Sequence, residues 1–160
     1  MSLLYKLSIP LFVLDQLTKL LILNNFELGD QKSIIPNCFN LVRVHNTGIA
    51  FGKFNDGDGS NIIFTTISLL AFLGILFFWI RGHFPGKLNQ LAVSLITAGV
   101  AGNVTDRILH GYVVDFLDFY IGDMHWPSFN IADSCICIAA ALIFISAFTK
   151  ESTNTQTEDK

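Results

Sequence analysis

Between Asn61 and Ile80 the chain reads NIIFTTISLLAFLGILFFWI, 20 residues without one charged side chain. A helix needs about 20 mostly apolar residues to cross the hydrocarbon core of a bilayer. Lipid offers the backbone no hydrogen bonds, so a spanning segment must be a helix or part of a closed barrel. This run therefore sets the fold class as α-helical and membrane-embedded. Composition agrees: only 14% of residues are charged and mean hydropathy is +0.51, against about 25% charged in a soluble domain. The net charge of −3 provides no basic field for nucleic acid.

Three further segments of similar length flank this one, at 3–26, 88–109 and 128–148. The first begins like a signal peptide. No small-residue cleavage site follows, and Asp15 and Lys19 interrupt it, so it reads as a retained helix. Those two residues are four apart and share a helix face, acid before base, which is the favoured order for an ion pair. The pair either makes a polar face tolerable or belongs to a functional site. Residues 27–60 are the one long polar stretch between spans. FNLVRVHN alternates weakly within it, and Asp30, Pro36 and Asn55–Gly59 supply turn chemistry. HNTGIAFG follows the alternating run, with Gly48 and Gly52 where the backbone bends or approaches something closely. The expected architecture is an all-α polytopic membrane protein of one domain, 1–160, with four transmembrane helices and a small β-structured platform at 27–60. The polar tail 151–160 is expected to be disordered.

Four spans place both termini on one side. That side, with the 81–87 turn, holds Lys6, Arg81, Lys87, Lys150 and Lys160, whereas the opposite connections hold Lys32, Arg43 and Lys53. The positive-inside rule then puts the termini in the cytoplasm and the platform on the outer face. Ala98 and Gly102 form a small-xxx-small pair suited to close helix packing. Cys38, Cys135 and Cys137 are odd in number and lack C-x-x-C spacing, so they read as small apolar residues packed in the bundle.

Residues 99–134 carry the chemistry: five aspartates, an arginine, two asparagines and two histidines lie among apolar segments. An ionisable group at membrane depth is a functional-site hypothesis by default. Asp115 in VVDF and Asp133 in FNIADS stand at helix ends joined by a short connection, so they can meet. If they meet they share a proton, since two adjacent carboxylates cannot both ionise comfortably. That suits amide hydrolysis: the ionised acid activates a water and the neutral one donates to the oxyanion. Asp133 could otherwise simply complement its helix dipole. Asp118 and Asp123 read as solvated loop residues. Asn103, Asp106 and Arg107 share a face of the third helix; Asn103 and Arg107 are expected to brace the site and Asp106 to neutralise or orient, unless this helix end snorkels to the interface. Ser128 and Ser134 lack a base in register, and His45, His110 and His125 show no metal-ligand spacing.

Asp15–Lys19 (DQLTK), His45–Gly52 (HNTGIAFG), Ala101–Arg107 (AGNVTDR), Val113–Phe116 (VVDF) and Phe129–Ser134 (FNIADS) follow one another in an order that resembles the bacterial lipoprotein signal peptidase family, signal peptidase II. The resemblance covers nearly the whole chain. It implies that Asp115 and Asp133 are the catalytic dyad, supported by Asp15, Lys19, Asn46, Asn103, Arg107, Asn130 and Ala132. It further implies an inner-membrane enzyme, needing no metal or other cofactor, that removes signal peptides just before a diacylglyceryl-modified cysteine of prolipoproteins. Inhibition by globomycin-type cyclic peptides, a monomeric state among membrane lipid and a β-cradle at 27–60 are further implications. One departure is that the family often has two glycines where this chain has Ala98 and Gly99. A competing reading makes the acids an ion path in a small transporter or channel subunit, which would spread them through the membrane depth. Another makes the polar residues interhelical glue in a non-catalytic assembly protein, which would tolerate Asp115→Asn.

Overall fold

The computed structural model describes residues 2–48, 57–82 and 86–155. Four helices, α1 (Ser2–Asn25), α2 (Gly57–Ile80), α3 (Lys87–His110) and α4 (Ile131–Thr155), stand with a four-stranded antiparallel sheet ordered β1-β2-β3-β4. The strands are β1 (Gln31–Ile35), β2 (Phe39–Asn46), β3 (Val113–Ile121) and β4 (Met124–His125).

The helices are inside out relative to a soluble bundle. On α1, Ile9, Val13, Leu17, Leu20 and Leu21 are exposed, whereas Ser8, Asp15 and Lys19 are buried. An apolar exterior around a polar interior is what lipid as solvent dictates. α3 is the central helix and packs against α1, α2 and α4; among the described residues α2 rests on α3 alone. The lower core joins Ala92, Ile96 and Val100 of α3 to Cys135 and Ala139 of α4. A second cluster holds the sheet on the end of α1, through Val114 and Phe116 against Ile22, Leu23 and Phe26.

Two glycines set the closest helix approach. A Cβ on Gly99 would run into the Ala132 carbonyl oxygen and Ile136 of α4, and one on Gly102 into the Asp15 carboxylate and the Ala132 methyl. Ala98, where a glycine is common in the family, instead lines an apolar groove with Ser8, Ile9 and Phe12 of α1, so its methyl is accommodated. At the end of α3, Gly111 adopts φ 80° and its N–H bonds the Arg107 carbonyl. This left-handed cap, which glycine adopts without a Cβ clash, turns the chain directly into β3.

Several expectations need correction. The sheet is not confined to 27–60: half its strands come from the α3–α4 connection, which had read as a loop. Aspartate is disfavoured in strands, and Asp115 and Asp118 hide the alternation of VVDFLDFYI. Residues 57–60 belong to α2 and not to the platform, because the turn-like Gly57–Gly59 stretch opens that helix. α4 runs on to Thr155, so 151–155 are helical where disorder was expected; no glycine or proline interrupts them. Residues 156–160, and 49–56 with Gly52, lie outside the described residues. Cys38 and Cys137 are exposed, and only Cys135 is buried as expected.

Gly99→Ala should lower the thermal unfolding midpoint in detergent, since overpacking a tight contact costs about 1–3 kcal/mol. Gly74→Ala, with nothing within 4 Å of the added Cβ, should leave it unchanged or raise it.

Candidate active site

Asp115 lies on β3, in register with Val44 of β2, at the edge of the helix ends. It is 1% exposed. Its Oδ2 accepts from Asn46 Nδ2 at 2.9 Å and its Oδ1 from Asn130 Nδ2 at 2.8 Å. Burial, and next the charge of Asp133, push its pKa up to about 7, against the pull of the two amide donors and Lys19.

Asp133 sits in the first turn of α4. Its backbone N–H donates to Asn130 Oδ1 at 2.9 Å, while its Oδ2 accepts the Asn130 N–H at 3.2 Å, a reciprocal cap of the kind that starts helices. Its Oδ1 accepts from Asn103 Nδ2 at 2.7 Å. Asn130, fully buried, thus holds both acids: its amide nitrogen binds Asp115 and its amide oxygen and main chain bind the Asp133 residue. The two carboxylates expected to meet are brought to one asparagine.

The expected supporting residues gather behind this pair. Lys19 Nζ bonds Asp15 Oδ2 at 2.9 Å, Asp106 Oδ2 at 2.9 Å and Asn103 Oδ1 at 3.0 Å. Asp15 Oδ1 accepts the Ala132 N–H at 2.9 Å. Arg107, half-buried on α3, lies in the field of the Asp133, Asp115 and Asp106 carboxylates. Asn46, Asn103 and Asn130 bond the two acids directly, Arg107 lies in their field, and Asp15, Lys19 and Ala132 connect to them through Asn103 and the Ala132 amide. Among the described residues no group of His, Cys, Asp and Glu side chains is placed to hold a metal ion.

The sheet adds residues the sequence did not single out. Arg43 caps α1 by donating to the Leu23 and Phe26 carbonyls and also donates to His45 Nε2 at 3.2 Å. His45 stacks on Tyr112 with ring centres 3.6 Å apart. Burial, then the Arg43 and His110 charges, depress its pKa. Asp118 is buried and not solvated: Asn40 Nδ2 donates to it at 2.8 Å and His125 lies 2.8 Å away. Burial raises its pKa, but those two hydrogen bonds outweigh it and leave the carboxyl below its usual range. Asp123 is exposed, as expected. Gln16 bridges Asp15, Asp106 and the Gly102 carbonyl; its signal was a lone amide in an apolar span.

Two carboxylates bonded to one buried asparagine, in a helical bundle with an apolar exterior, define a membrane protein equipped for aspartic acid–base chemistry. A family model described as Signal peptidase (SPase) II, Peptidase_A8, matches residues 7–149. The lipoprotein signal peptidase of Vibrio cholerae serotype O1 is 44% identical over 147 residues, covering 89% of this chain and 84% of its own. That of Vibrio parahaemolyticus is 41% identical, covering 92% and 88%. A solved bacterial membrane enzyme, determined by the in meso method, superposes with a TM-score of 0.84 at 32% identity, covering 96% of this chain and 92% of its own. The chain belongs to the signal peptidase II family and is an aspartic peptidase.

The raised Asp115 pKa has a measurable consequence for stability. An acid whose pKa rises from 3.8 to about 7 on folding binds its proton better folded than unfolded. The stabilisation is complete below pH 3.8 and is lost as pH rises through about 7. Thermal unfolding of wild type should therefore fall between about pH 5 and about pH 8 more steeply than that of Asp115→Asn, which cannot titrate there.

Proposed function

We propose that the protein removes signal peptides from prolipoproteins by water activated between Asp115 and Asp133, cutting just before a diacylglyceryl-modified cysteine. The observation that carries this reading is the Asn130 bridge: its side-chain amide donates to the buried Asp115 carboxylate and its main-chain N–H to the half-buried Asp133 carboxylate. The pair titrates as a unit and carries one proton near neutrality. The ionised member takes a proton from the attacking water while the protonated member donates to the scissile carbonyl oxygen; the tetrahedral intermediate then collapses as the leaving nitrogen is protonated. Asn46, Asn130 and Asn103 donate to the carboxylates and hold their oxygens still, so little reorganisation remains for the transition state. The bond broken and the substrate class rest on the names of the relatives and on the family resemblance.

Substrate would reach the pair from lipid. An apolar cleft of about 680 Å³ lies between α2 and α4 over α3, lined by Phe72, Ile75, Val100, Ile136, Ile143 and Phe144. Val100 and Ile136 stand one helical turn from Asn103 and Asp133, so the cleft leads from the pair into the bilayer and suits the apolar part of a signal segment. On the sheet side, β1 stops pairing with β2 at Val42, leaving Val44–Asn46 beyond its end. An extended substrate backbone added there would lie beside Asn46. Both termini are assigned to the cytoplasm, the site to the outer face, the working state to a monomer and inhibition to globomycin-type peptides.

Purified wild type should cleave a diacylglyceryl-modified prolipoprotein, and folded Asp115→Asn and Asp133→Asn should each lose activity by at least about 1,000-fold. Full activity in either variant would sink the mechanism. The alkaline limb of the wild-type rate should fall near pH 7, as the shared proton is lost. A substrate methylated on backbone nitrogens beside the cleavage site should be cut poorly; normal turnover would remove the strand-addition element.

A further inference from the structure

Lys19, 2% exposed, lies between two aspartates that are themselves 1% and 2% exposed, Asp15 and Asp106. The remaining bonds of those two aspartates follow one pattern. Asp106 Oδ2 accepts the N–H of Val114 at 3.0 Å, the residue immediately before Asp115. Asp15 Oδ1 accepts the N–H of Ala132 at 2.9 Å, the residue immediately before Asp133. Each half of the catalytic pair is therefore gripped at the preceding amide by a different buried carboxylate, and one ammonium ties the two grips together at 2.9 Å each. Gln16 Nε2 makes a second tie, 3.2 Å from Asp15 Oδ2 and 3.1 Å from Asp106 Oδ1. The third Lys19 contact, Asn103 Oδ1, belongs to the side chain whose amide nitrogen holds Asp133.

We propose that Asp15, Lys19, Asp106 and Gln16 act as a spacer that sets the gap between the catalytic carboxylates by holding the peptide N–H before each. They are positioning residues and touch no reacting atom. The spacer is needed because the two acids sit on separate elements, a strand and a helix, and they repel one another when both are charged. Asn130 links them at the front; the spacer fixes their backbones from behind. Asp106 and Gln16 thereby join the residues on which the reaction depends, and Asp15 and Lys19 acquire a defined task. The inference rests on the dyad reading above.

The test uses the full-length enzyme in detergent–lipid micelles with a lipid-modified prolipoprotein, following kcat and KM across pH. Asp106→Ala removes the acceptor for the Val114 N–H and should lower kcat on the order of 100-fold, the scale of an ångström-level misplacement, with KM within about twofold. Asp106→Asn keeps an acceptor oxygen and should retain more of kcat. It also removes one negative charge from behind the dyad while Asp15 stays paired with Lys19, which favours ionisation of the dyad, so its alkaline limb should move to lower pH. Gln16→Leu, at a half-buried position where folding is expected to survive, should lower kcat about tenfold without changing KM, the low end expected for lost positioning. Gln16→Leu and Asp106→Asn decide the matter if Asp106→Ala fails to fold. Wild-type kcat and an unmoved limb in both would overturn the spacer while leaving the dyad standing. Wild-type cleavage by Asp115→Asn would instead remove the dyad and the spacer with it.

Discussion

An ammonium group buried in a bundle surrounded by lipid must be fully satisfied or it will not stay charged. Lys19 meets that condition with three oxygens, from Asp15, Asp106 and Asn103, drawn from two helices. Breaking a buried ion pair by removing one partner generally costs about 3–5 kcal/mol. The pairing of α1 with α3 is therefore specified by charge and not by apolar contact, which lipid would satisfy equally well. Glycines at 99 and 102 let α4 approach closely enough to hand the Ala132 amide to Asp15. Sheet placement depends on the same group, because Asp106 holds the first residues of β3.

From that base the asparagines do the finer work. Asn103, Asn130 and Asn46 reach the acids from α3, from the lead-in to α4 and from β2. An amide offers both a donor and an acceptor, so Asn130 can bind a carboxylate and a peptide N–H together. Neutral donors steady the carboxylates without adding a further full charge beside them.

The four helices were legible because length and charge depletion leave a membrane chain few alternatives, and the two acids because a carboxylate at the edge of lipid needs a reason to be there. The supporting residues were legible mainly through the five ordered motifs. β3 was not, since its two aspartates contradict strand propensity and become tolerable only with partners on other elements. Asp118 shows why: the partner that makes its burial affordable, Asn40, is 78 residues away. Gln16 was missed for the same reason, as two of its three acceptors, Gly102 and Asp106, become neighbours only when α1 meets α3. The helical 151–155 segment reflects the opposite error, in which polarity was taken for disorder although nothing breaks the helix.

The arrangement on α1 also bears on how the molecule is assembled. Asp15 and Lys19 are one turn apart on one face and bonded to each other, so α1 can partition into lipid as an internally neutralised helix before any neighbour exists. Its charges are then in place when α3 emerges with Asp106. The lysine need only share its remaining hydrogens with the arriving carboxylate and never be bare. Active-site construction thus starts from one side-chain pair, with α1 serving as template for the helix that packs on it.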